Sequence, residues 1–324
     1  MTIELPGLFD LQVNGFGGVD FNAPFVTADR IGEALERMRA TGVTRCLPTL
    51  ISSSFEQFAA CARVFARTSD AAIAGIHMEG PYISPDDGPR GAHPRQHVAP
   101  ASLDDFNRRQ DAAGGRIALV TLAPEIPGAL PLIEHLVATG VRAAIGHTAA
   151  TGQQIGDAIS AGATLATHLG NGCAPMLPRH PNAIWELLAA DGVLASLIVD
   201  GHHLPPATVK AMVRAKGADR TVLVTDATAA AACAPGPFAI GGIACVLRED
   251  GRVTLPGTLR LAGSSLTLDR AIANTVRFTG LSIEDVIPMA STIPARCLGT
   301  TTMGTVSADW DADAGELGIR AVRS

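Results

Sequence analysis

The 324-residue chain is short of aromatic side chains, of charge and of long apolar runs. Aromatics make up 4%, so a core has to be packed from Ala, Val, Leu and Ile. Charged residues are 17% with a net charge of -6, and no basic run or aromatic-basic interleaving occurs, which argues against a general nucleic-acid partner. No stretch of 18 apolar residues exists, which argues against a membrane span. Six cysteines, Cys46, Cys61, Cys173, Cys233, Cys245 and Cys297, never fall in C-x-x-C spacing. That disfavours a zinc knuckle or a disulfide framework and points to reduced, buried thiols in a cytoplasmic protein. The opening MTIELPGLFD carries Glu4 and no cationic n-region, so it does not read as a signal peptide. At 47% hydrophobic, the chain can bury a large core, and disorder is not expected.

What the chain does contain is a regular alternation. Strand-like segments at 8–14, 43–50, 72–79, 116–122, 141–146, 163–168, 194–199 and 221–225 alternate with helix-like ones. The helical segments are 28–41, 54–66, 102–113, 128–139, 152–161, 182–191 and 205–216. In the first of these, Ile31, Leu35 and Met38 share one face and Gly42 follows as a stop. Near-continuous apolar strands between amphipathic helices argue for a parallel sheet covered by helices. Eight units of this kind suit a closed (β/α)₈ TIM-type barrel. A doubly wound open sheet is the alternative, but the glycines of GFGG (15–18) do not make the G-x-G-x-x-G expected after a first strand. Residues 237–256 read as a hairpin or excursion and 265–299 as helical. The expected division is one barrel domain over 1–303 and an acidic, unpatterned C-terminal tail over 304–324.

Five polar residues stand where apolar strand runs end: Asn14, Glu79, His147, His168 and Asp226. In a parallel barrel that end is where loops converge on ligands. Glu79, His147 and His168 offer a carboxylate and two imidazoles, a donor set that suits a catalytic divalent metal. Each alone would more often be structural; three at one barrel face favour the site. Asp226, in LVTDA, suits a proton carrier beside such a metal, with a helix N-cap as the plain reading. His203 and His93 could donate to a carbonyl oxygen as charge grows on it. Asn171, the backbone around Gly172, and Arg179 suit a phosphate or carboxylate, a solvated arginine being the equal alternative. His77 alternates onto the side of Glu79, which makes it either a further ligand or, as the plainer reading, an inward barrel-layer residue. Asp200 reads as structural.

Several motifs then align in order. HMEGPYISPDDGPRGAHP (77–94), GHTAAT (146–151), THLGN (167–171), VDGHH (199–203), LVTDATAAA (223–231) and LAGSSLT (261–267) resemble the N-acetylglucosamine-6-phosphate deacetylases of the amidohydrolase superfamily. PGLFDLQVNGFGGVDFN (6–22), GVTRCLPTLISSS (42–54) and ASTIPARCLG (290–299) extend the resemblance over residues 6 to about 300. It implies an amidohydrolase barrel in which Glu79, His147 and His168 hold the metal and Asp226 is the general base and acid. It also implies that His203 and His93 touch the substrate, that Asn171, Gly172 and Arg179 grip the sugar phosphate, and that the chain forms a homodimer. Superfamily members that bind a second metal carry His-x-His on the first strand. Gln12 and Asn14 stand there instead, so one divalent ion is expected, zinc by default, with Fe²⁺, Co²⁺ and Mn²⁺ as alternatives.

The chain departs from the family pattern mainly on the substrate side. Ala149 replaces an Asn, Gly170-Asn171-Gly172-Cys173 replaces aromatic-Asn-Ala-Met, and Arg90 is an added cation in the long loop. The small β-sandwich usual in the family is expected to be missing or vestigial. The expected activity is metal-dependent hydrolysis of N-acetylglucosamine-6-phosphate to acetate and glucosamine-6-phosphate. The alternatives are the same chemistry on another N-acetyl sugar phosphate or on a non-phosphorylated N-acyl compound, and a non-catalytic metal or sugar-phosphate binder.

Overall fold

The computed structural model describes residues 1–323. Its centre is an eight-stranded parallel sheet: β1 Leu8–Val13, β2 Val43–Ile51, β3 Ile76–Glu79, β4 Ile117–Leu122, β5 Arg142–Ile145, β6 Leu165–Ala166, β7 Leu194–Leu197 and β8 Thr221–Leu223. Sheet order follows chain order from β1 to β8. The ends meet through Asp226 N–H to the Gln12 carbonyl at 2.9 Å, Asn14 N–H to the Ala227 carbonyl at 2.7 Å and a parallel bridge between Val13 and Ala227. The strands are buried on both faces because helices cover the outside and side chains fill the inside, which explains their unbroken apolar runs.

The helices form where the 3.6-residue period predicts. Helix Ala28–Arg39 is capped by the Thr27 side chain and turns Ile31, Ala34, Leu35 and Met38 inward. Helix Gly152–Ser160 opens with a capping box between Thr151 and Gln154. All six cysteines are free, four of them buried. His77 is a barrel-layer residue: its Nε2 meets Thr121 Oγ1 at 2.7 Å and its Nδ1 faces the Leu11 carbonyl at 3.2 Å. No helix among the described residues is long and apolar enough to cross a membrane.

Two three-stranded sheets flank the barrel, besides a two-stranded ribbon of Gly15–Phe16 and Val19–Asp20. The excursion after β8 is a three-stranded antiparallel sheet of Gly236–Ile240, Ile243–Leu247 and Val253–Thr254. The second corrects the reading of 304–324 as an unpatterned tail. Thr305–Asp311 and Glu316–Arg323 form a hairpin, and Thr2–Pro6 adds to it as a third antiparallel strand. Val306, Ala308 and Trp310 alternate inward past Ser307 and Asp309, so a period of two is present beneath the acidic composition. A reduced sheet layer, joining both ends of the described chain, therefore packs on the barrel. Ser324, the last residue of the expected tail, lies outside the described residues.

Candidate active site

The loops leaving the carboxyl ends of the strands enclose a cavity of about 430 Å³. At its floor the three expected metal ligands converge. Glu79 ends β3, and its Oε1 lies 3.1 Å from His147 Nε2 and 2.9 Å from His168 Nε2. The two Nε2 atoms are 3.1 Å apart. Ligands 2.0–2.2 Å from a tetrahedral ion would stand roughly 3.4 Å from one another, so these three atoms outline a position such an ion fits. All three side chains are buried.

The backbone makes the convergence possible. His147, His168 and Asp226 all take positive φ, at 51°, 31° and 49°. Non-glycine residues rarely adopt this left-handed region, and each such residue costs about 1–2 kcal/mol. Each stands just beyond a strand end, where an extended residue would carry its side chain away from the barrel axis. His147 is fixed further from behind: its Nδ1–H donates to the Pro89 carbonyl at 2.8 Å, which leaves the Nε2 lone pair facing the other ligands. Two glycines press against that ring. A Cβ on Gly172 (φ 56°) would stand 2.9 Å from His147 Nδ1, and one on Gly91 would stand 3.0 Å from its Cε1.

Burial alone would push the Glu79 carboxyl up, but the two imidazoles packed against it, with His168 donating to it, hold it well below its usual range. Burial likewise opposes a charged His168, and the bond to Glu79 outweighs it, so this imidazole is raised. Asp226 is pushed up to about 6 by burial and by the neighbouring Glu79 charge. It accepts from Asn14 Nδ2 at 2.7 Å and Gln12 Nε2 at 3.3 Å, and Gln12 also donates to Glu79 Oε1 at 2.8 Å. Gln12 and Asn14 thus present N–H groups, not lone pairs, to the two carboxylates.

His203 and His93 both line the cavity. His203 Nδ1 is held by Asp200 Oδ2 at 2.7 Å. Sequence reasoning misses this orienting role for Asp200, although a carboxylate three residues before a histidine in a turn is a visible signal. His93 lies closer to the floor than expected: its ring centroid is 4.5 Å from that of His147 and its Nε2 is 3.7 Å from Glu79 Oε2. Burial lowers its pKa to about 3, so it is neutral, with Nδ1 on Ser52 Oγ at 2.9 Å.

The expected phosphate group of residues divides. Asn171 and Gly172 line the cavity, although the Asn171 amide also turns back to the His168 carbonyl at 3.2 Å. Arg179 does not join them: it is exposed and outside the lining of its own chain's cavity, because its Pro-rich loop runs outward along the surface. Arg90 is turned inward, donating to the His93 carbonyl at 2.7 Å and pairing with Asp87. Arg260, missed in the sequence although it directly precedes the LAGSSLT motif, lines the cavity.

A parallel (β/α)₈ barrel with two imidazoles and a carboxylate converging at its carboxyl end, and a buried aspartate beside them, defines a metal-dependent hydrolase scaffold. The chain belongs to the amidohydrolase family, whose model matches residues 3–315. It is 33% identical over 319 residues to an N-acetylglucosamine-6-phosphate deacetylase of Lysinibacillus sphaericus, covering 96% of this chain and 80% of that one. To an N-acetylgalactosamine-6-phosphate deacetylase of Shewanella it is 33% identical over 320 residues, covering 94% and 77%. A solved N-acetyl-D-glucosamine-6-phosphate deacetylase of Mycobacterium smegmatis superposes with a TM-score of 0.91 at 33% identity, covering 99% of this chain and 86% of that one.

Proposed function

We propose that the chain is a single-metal deacetylase that hydrolyses N-acetylglucosamine-6-phosphate to acetate and glucosamine-6-phosphate. The observation that carries the reading is the convergence of Glu79 Oε1, His147 Nε2 and His168 Nε2 beside the buried Asp226. A divalent ion in that donor set, zinc in our reading, supplies Lewis acidity toward a water and a carbonyl oxygen. Asp226 takes a proton as the water oxygen attacks the acetamide carbon, then hands it to the nitrogen as the C–N bond breaks. Asn14 and Gln12 hold the Asp226 carboxylate in place for both transfers. His93, whose Nδ1 accepts from Ser52 N–H, keeps Nε2–H to donate to the carbonyl oxygen as charge develops there, and His203, fixed through Nδ1 by Asp200, positions the substrate in the cavity. The amides of Gln12 and Asn14 support one ion rather than two.

The relatives act on both C4 epimers at similar identity, so the galactosamine analogue is the second reading. Acetate release over N-acetyl hexosamines of both configurations, each with and without the 6-phosphate, tests the assignment, with metal content measured on the same sample. The reading requires about one metal ion per chain and fastest turnover of the gluco 6-phosphate. Faster turnover of the galacto epimer would transfer the assignment to it. Indifference to phosphate would move it to a plain N-acyl substrate, and neither metal nor hydrolysis would leave a non-catalytic barrel.

A further inference from the structure

We propose that Arg260 anchors the phosphate of the substrate at the mouth of the cavity, an inference that rests on the phosphosugar reading above. Arg260 contributes the permanent positive charge among the residues that line the cavity. The other charged groups there are committed elsewhere. Asp87 pairs with Arg90, Glu79 is engaged by two imidazoles, and Asp226 accepts from Asn14 and Gln12. Among the described residues no carboxylate pairs with Arg260; its guanidinium donates to the Gly91 carbonyl. One bond to a neutral acceptor leaves most of its five N–H donors for an anion, and a guanidinium fork matches the oxygens of a phosphate.

Its position along the chain fits the polarity of the substrate. Ser264 N–H bonds the Asp226 carbonyl at 3.0 Å, so Arg260 stands four residues up the same segment from the proton carrier. Four residues span at most about 14 Å. The ligand atoms at the floor are buried, whereas Arg260 is exposed at the rim. Between them the wall includes Ile51, Ile198, Ile240 and Ile243. A hexosamine with its acetamide at the floor meets apolar walls along the ring and a cation at the phosphate end. The Gly91 carbonyl also places this cation on the loop that carries Pro89 and His93, so phosphate binding draws together two segments that frame the floor.

The test is steady-state kinetics of Arg260→Ala, Arg260→Lys and Arg179→Ala on N-acetylglucosamine-6-phosphate and on N-acetylglucosamine, with glucosamine-6-phosphate as competitive inhibitor. For Arg260→Ala we expect KM for the phosphorylated sugar to rise about 10- to 100-fold with kcat little changed. The preference for the phosphorylated sugar narrows by the same factor, inhibition by glucosamine-6-phosphate weakens to match, and metal content stays the same. Arg260→Lys recovers part of the loss, because an ammonium supplies charge without the fork. If the wild type prefers phosphate and Arg260→Ala leaves that preference intact, or if the loss appears only in Arg179→Ala, Arg260 is not the anchor and the phosphosugar reading stands. If the wild type shows no preference for phosphate, that reading falls and the assignment of Arg260 falls with it.

Discussion

Asn14 Nδ2 donates to Asp226 Oδ1 at 2.7 Å across the seam where the last barrel strand meets the first. Asn14, expected as a lost second-metal position, thus supports the aspartate that we propose as proton carrier. Asn14→Ala should lower kcat about 10-fold or more, since a hydrogen bond to a charged group is lost, while metal content stays at the wild-type level. Asp226→Asn should cost at least ~100-fold in turnover, again with metal bound. Near-normal turnover by the Asp226→Asn variant would remove Asp226 from the chemistry.

Dialysis against a strong chelator should abolish acetate release, and zinc at one equivalent should restore it. His168→Ala should lose both metal, measured by atomic emission, and activity. Retention of full activity by the chelated protein would refute the role given to Glu79, His147 and His168.

Gly172 is expected in the phosphate grip, and a side chain placed on it would run into the His147 ring. Gly172→Ala would add a Cβ 2.9 Å from Nδ1 on a residue with φ 56°. The ring would have to shift, and we expect metal affinity to fall about 10-fold in competition with a chromogenic chelator. Unchanged affinity would show that the ring tolerates the displacement.

Asp10 offers a pH signature away from the metal ligands. It is buried between β1 and β8, where it accepts from Thr225 Oγ1 at 2.5 Å and from Gln12 N–H at 3.1 Å. Burial raises it from 3.8 to about 7. The folded state therefore holds the proton more tightly than the unfolded chain. The stabilisation from that proton is complete below about pH 4 and is lost as pH climbs toward 7. Denaturant unfolding in the presence of chelator should show the wild type losing stability relative to Asp10→Asn between about pH 4 and 7, by at most a few kcal/mol. Parallel profiles for the two proteins would assign the titration to another group.

Trp310 tests the flanking sheet. It alternates inward from the Thr305–Asp311 strand and is 6% exposed. Trp310→Ala should destabilise the protein by about 3 kcal/mol in equilibrium unfolding. A change under about 1 kcal/mol would mean the hairpin adds little to the folded body.

The barrel is legible because its strands are apolar throughout and its helices keep a 3.6-residue stripe, as Ile31, Leu35 and Met38 do. Glu79, His147, His168 and Asp226 are legible because residues of ligand and proton-transfer chemistry end several successive apolar runs at the same end of the barrel, a coincidence that no one of them signals alone. The Thr305–Asp311 strand is masked by Asp309 and Asp311, which face solvent on a sheet wetted on one side. Arg179 and Arg260 cannot be ranked from sequence. Whether a loop arginine faces a cavity depends on the path of its loop, and composition does not encode that path. Asp200 and Pro89 escape because each acts only through the histidine that it orients.

The left-handed backbone at His147, His168 and Asp226 has an evolutionary side. Glycine would adopt those angles at little cost, so at three positions the most comfortable residue for the fold is one that has no chemistry at all. Selection for stability alone would drift the barrel toward an inert, sturdier molecule. These side chains persist only under continued demand for what they do together.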